Sequence, residues 1–92
     1  MEAPVEQRIV VSNELGLHAR VATMMVQRMQ NYSCEVTLSL HGVEVNARSV
    51  LGLLLLAASP GSEIIVKAQG AGATDAIEEI RQLVQDENHQ PN

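Results

Sequence analysis

The apolar positions of this chain change period several times, and each change marks an element. Arg8 to Val11 (RIVV) is a β-branched run after a polar lead-in, stopped by Ser12-Asn13-Glu14, which predicts a short strand ending in a polar turn. From Ala19 onward, Ala22, Met25, Val26 and Met29 recur at helical spacing and run out near Asn31. That pattern predicts a helix of about three turns with His18 at its N-terminal edge. Glu35 to Leu40 (EVTLSL) alternates strictly and puts Val36, Leu38 and Leu40 on one face. His41-Gly42 then reads as a hairpin turn before the VEV of residues 43–45.

The run RSVLGLLLLAAS opens with Ser49 in a capping position and contains few β-branched residues, so it predicts a short helix despite Gly52. Pro60-Gly61 ends it, and EIIVKAQ at residues 63–69 is a further strand. Gly70 and Gly72 break that strand before a final helix from about Thr74, whose Ala76, Ile77, Ile80, Leu83 and Val84 form one stripe. Glu87 to Asn92 reads as a polar, frayed tail. The order is β-α-β-β-α-β-α, with neither internal repeats nor an interdomain linker. Helices and strands that each own one apolar face bury all of it when the helices pack on one side of a four-stranded sheet. The expectation is therefore an α+β open-faced sandwich over residues 1–92, with its core at about 6–86 and the other sheet face wet.

Composition narrows the chemistry. The 92 residues include no Trp, no Phe and one Tyr, so the core is aliphatic and a deep, enclosed active site has little room. With 46% hydrophobic and 18% charged residues the chain can bury a core and fold alone. A net charge of -5 with six scattered Lys and Arg argues against a nucleic-acid partner. The single cysteine, Cys34, excludes an intramolecular disulfide and favours a reducing compartment. MEAPVEQ lacks the apolar stretch of a signal peptide, and the apolar run Val50 to Ala58 is about half a bilayer span, so a cytoplasmic protein without membrane insertion is expected. No His, Cys or carboxylate spacing suggests a metal site, and no cofactor is expected.

GLHAR, residues 16–20, carries the reactive candidate. A helix start presents backbone N–H groups without intrahelical partners and a partial positive charge, which makes it an anion site. That location favours the neutral, nucleophilic imidazole of His18 over its cation. A phosphoryl group received there would meet the amides of the helix start and Arg20, and Gly16 lets the chain approach closely. Gly16, Ala19 and Arg20 are the candidate phosphate-binding positions. This arrangement suits a covalent phosphohistidine better than proton transfer, which would call for a second titratable partner. On residue type alone, a lone His near a helix start is more often an ordinary surface residue. His41 is assigned to the hairpin turn and His89 to the tail.

NELGLHARVA resembles the active-site segment of the HPr family, the histidine-containing phosphocarriers of the bacterial phosphoenolpyruvate-dependent sugar phosphotransferase system. The resemblance continues through NARSVLGLLLL, PGSEI and QGAGATDAIEEI, over roughly residues 6 to 84 without a gap. It implies three helices over a four-stranded antiparallel sheet in strand order 1-4-2-3. It also implies that His18 is phosphorylated at a ring nitrogen with Arg20 beside it, and that Ser49 is the target of a dedicated serine kinase and phosphorylase. Two positions depart from the family pattern: Val21 stands where proline usually follows the arginine, and Ala57 where glycine is common. Proline suits a first helical turn, so its loss loosens that start modestly.

The helix after Ser49 has more apolar surface than one side can bury. Leu53 and Leu56 are expected in the core, whereas the resemblance makes Val50, Leu51 and Leu54 a docking face. The implied function is a stoichiometric phosphoryl carrier rather than an enzyme, taking phosphate on His18 from enzyme I and passing it to an enzyme IIA component. The alternatives are a nitrogen-related phosphotransferase paralogue and a binding module in which Ser49 phosphorylation controls docking to a transcriptional regulator. A monomer is the natural expectation for a shuttle with one docking face.

Overall fold

The computed structural model describes residues 3–85; the polar tail at 87–92, with His89, lies outside the described residues. Seven elements follow one another: β1 (Val5–Val10), α1 (Ala19–Met29), β2 (Glu35–Leu40), β3 (Val43–Asn46), α2 (Val50–Leu56), β4 (Glu63–Gln69) and α3 (Ala73–Gln85). The strands form one antiparallel sheet in the order β1-β4-β2-β3, the order that the resemblance implied.

The alternation expected from the strands sorts the two faces. Ile9, Val36, Leu38, Ile64, Val66 and Ala68 are buried beneath the helices, while Glu6, Arg8, Glu35 and Lys67 point to the open face. α1 contributes Val21, Ala22, Met25 and Met29 to the core, and α3 contributes Ala76, Ile77, Ile80, Leu83 and Val84.

The first strand differs from the sequence expectation at both ends. It begins at Val5, because Val5, Glu6 and Gln7 pair with Ala68, Lys67 and Val66; Glu6 points to the wet face, while Gln7, on the helix side with Ile9, accepts from the Arg81 guanidinium of α3. It ends before Val11, whose N–H turns to Ser62 O (2.8 Å) while its carbonyl accepts from Gly61 N (2.7 Å). The following turn is tied to the end of α3, since the amides of Ser12 and Asn13 both donate to Val84 O at 2.9 and 3.0 Å.

α1 and α2 run antiparallel. At one end Leu17 N donates to Ala58 O (2.8 Å), just past α2. At the other, the Arg48 guanidinium donates to Met29 O (2.8 Å) in the last residue of α1 and to Tyr32 O (2.7 Å) just beyond it. α1 and α3 are clasped through Glu79, whose carboxylate accepts from Arg28 Nη1 (3.2 Å) and from the Tyr32 hydroxyl. That hydrogen bond, with burial and the carboxylate charge adding to it, pushes the Tyr32 pKa up to about 12.

Candidate functional site

His18 is the N-cap of α1. Its backbone is extended (φ -101°, ψ -178°), and its carbonyl accepts the first intrahelical bond from Ala22 N at 2.9 Å. Its side chain folds back so that Nδ1 accepts the backbone N–H of Arg20 at 3.2 Å. In the neutral ring the nitrogen that accepts is the one without a proton, so this hydrogen bond assigns the lone pair to Nδ1 and the proton to Nε2. The ring is half-buried, Ala19 and Arg20 are exposed, and the first turn of α1 contains no acidic residue. Negative charge arriving at Nδ1 would meet donors and no carboxylate from that turn.

Gly16 holds this histidine in place by a contact that the sequence did not reveal. Its φ is +70°, and a Cβ there would stand 2.5 Å from Ala58 O and 3.0 Å from Ser59 Cα. The backbone that Gly16 lets approach is thus the chain's own 58–60 segment, and Leu17, buried next to it, fastens the loop to the core.

Ser49 caps α2 in the same manner, with φ -115°, ψ 107° and Oγ accepting from Gly52 N at 2.9 Å. The structure does not bring Ser49 to His18. Because α1 and α2 are antiparallel, the two caps stand at opposite ends of the helix pair, separated along α2 by its seven residues, about 10 Å of rise.

The face of α2 between them is apolar and open. Leu51, Leu54 and Leu55 are 68%, 38% and 70% exposed, whereas Leu53 and Leu56 are buried and Val50 is partly buried against the core. Leu55 belongs to this stripe by its i, i+4 relation to Leu51, yet only the packing of the opposite face shows that it lies outside. Ala57 closes α2 in the left-handed conformation (φ 54°, ψ 40°), which accounts for glycine being common in its place. Leu15, in the turn just before Gly16, is 63% exposed; an apolar residue inside a polar turn was the signal that could have drawn attention to it.

The open-faced sandwich is the fold of small phosphocarrier proteins of known structure. The family described as the PTS HPr component phosphorylation site matches residues 5–86. The phosphocarrier protein HPr of Xylella fastidiosa (strain 9a5c) is 42% identical over 79 residues, which cover 86% of this chain and 89% of that protein. The HPr-like protein Crh of Bacillus subtilis (strain 168) is 39% identical over 83 residues, covering 90% and 98%. The crystal structure of a phosphocarrier protein HPr from Bacillus anthracis superposes with a TM-score of 0.86 at 34% identity, over 91% of this chain and 100% of that one. The chain belongs to the HPr family of phosphocarrier proteins.

Proposed function

We propose that this chain, as a cytoplasmic monomer, carries phosphoryl groups from enzyme I to a sugar-specific enzyme IIA component. The Nδ1 lone pair of His18 attacks the phosphorus of a phosphohistidine on the donor. The donor's N–P bond breaks as the bond to His18 forms, and the donor imidazole leaves with the bonding pair. Transfer to the acceptor repeats the exchange in the opposite sense, with no metal, nucleotide or cofactor taking part. The Arg20 amide that occupies Nδ1 at rest, together with the Arg20 guanidinium and the Ala19 amide, then donates to the phosphoryl oxygens. Gly16 serves by holding the loop. Val50, Leu51 and Leu54, with Leu55, dock the partners through a small dry contact that releases quickly.

The observation that carries this reading is the Nδ1 atom held at a helix start beside Arg20. Incubation with phosphoenolpyruvate and enzyme I, followed by intact mass at neutral and acid pH, tests it. An acid-labile gain of one phosphate is expected for the wild type and none for His18→Ala. A folded wild type that gains nothing sinks the reading.

A regulatory reading also draws support, from the likeness to Crh and from Ser49 at the cap of α2. A phosphate on Ser49 would add about two negative charges at the end of the apolar stripe and repel acidic partner surfaces. A serine kinase and phosphorylase acting there would set docking to a transcriptional regulator. In a nitrogen-related relay, to which Val21 in place of proline points, the donor would differ and sugar-type enzyme I would fail to charge His18.

A further inference from the structure

We propose that Leu15 is a specificity-determining contact for the phosphoryl donor, obliging that donor to present an aliphatic recess beside its phosphorylated group. The inference rests on the carrier reading above and names the chemistry of the donor's rim.

Leu15 is a large apolar side chain left 63% exposed in a loop that has no freedom to hide it. Gly16 N donates to Asn13 O (3.3 Å), closing a turn around residues 14 and 15, and Leu17 N donates to Ala58 O (2.8 Å). On either side of the tip, Asn13 and Leu17 are buried at 4% and 5% exposure, so the core fixes both feet of the loop. Gly16 lies so close to Ala58 and Ser59 that a side chain would not fit between them.

Proximity to His18 then decides what covers Leu15. Three residues span at most about 11 Å. Even a small transient interface, about 600 Å² on each partner, has a radius of roughly 14 Å. A donor whose contact is centred on Nδ1 therefore reaches Leu15. On the α2 side the rim matches it, because α2 has no charged residue and its Leu51, Leu54 and Leu55 are open, while Glu14 and Arg20 are the exposed charges on the loop side. A polar rim on the donor would lose its water against Leu15 without gaining a partner, whereas an aliphatic recess gains from the contact.

The test is steady-state transfer from enzyme I, charged with phosphoenolpyruvate, to the wild type, Leu15→Ser and Leu15→Met. Leu15→Ser is expected to raise the KM for the carrier roughly tenfold with kcat unchanged, as loss of most of a buried leucine contact would. Leu15→Met is expected to return KM to within about twofold, with the melting temperatures of all three alike. Equal KM values for Leu15→Ser and wild type, or a change confined to kcat, overturn the proposal while leaving the carrier reading intact. A wild type that takes no phosphoryl group from enzyme I overturns both.

Discussion

The two helix starts of the α1/α2 pair use one geometry for different chemistry. His18 and Ser49 are both N-caps in extended backbone, and each accepts an amide hydrogen from the first turn of its helix. At α1 the accepting atom is a ring nitrogen, the atom proposed above to take the phosphoryl group, with Arg20 two residues on. At α2 the accepting atom is a hydroxyl oxygen, which is a weak nucleophile until a base removes its proton. One capping geometry thus presents different atoms, an imidazole nitrogen at α1 and a hydroxyl at α2. His18 is held by a loop whose Gly16 admits no side chain, whereas Ser49 follows Arg48, which ties the opposite end of α1.

The comparison breaks most visibly at Gly16. Gly16→Ala would force a Cβ to within 2.5 Å of Ala58 O at a φ of +70°. A loss of about 3 kcal/mol is expected from strain and displaced backbone, which thermal melting should register as a fall of roughly 15 °C. A variant melting within a degree or two of wild type would show that the loop is not pinned as described.

Ser49→Ala removes an ordinary cap and is expected to cost about 1 kcal/mol in urea unfolding. It should leave the charging of His18 intact, because the two caps stand at opposite ends of the pair. A charging defect equal to that of His18→Ala would show the caps to be one site after all.

Ala57→Gly sharpens the contrast from the other end of α2. A left-handed alanine costs about 1 kcal/mol relative to glycine. The variant should therefore unfold at higher urea by a corresponding amount, and an unchanged midpoint would mean that the strain is relieved elsewhere.

The smallest effect concerns the α1–α3 clasp. The Tyr32 pKa lies at about 12, above the ordinary value of 10.0, so the folded state holds the proton more tightly than the unfolded chain. Its stabilising contribution is complete below pH 10 and is lost as the pH rises through 12. In melting curves across that window, Tyr32→Phe should be less stable at neutral pH and decline less steeply. Parallel curves would remove Glu79 as the proton's partner.

Much of this was legible in the chain because it depends on neighbours in sequence. Alternation within EVTLSL, helical spacing from Ala19 to Met29 and the stop at Pro60-Gly61 are short-range patterns, and the elements they predict match the structure to within a few residues. His18 and Ser49 could be placed at helix starts for the same reason. The extension of β1 back to Val5 was not legible, since Glu6 and Gln7 pair through the backbone and their side chains reveal nothing of it.

The order of elements, the aliphatic core and a histidine at a helix cap follow from the chain alone, because propensity, periodicity and capping act over a few residues. Tertiary structure alone decided that Gly16 presses on Ala58, that Arg48 closes the end of α1, that Leu55 and Leu15 face outward, and that the two caps lie apart. Those facts depend on which segments, distant in the chain, share a surface once the sheet has assembled, and on the antiparallel placement of α1 and α2.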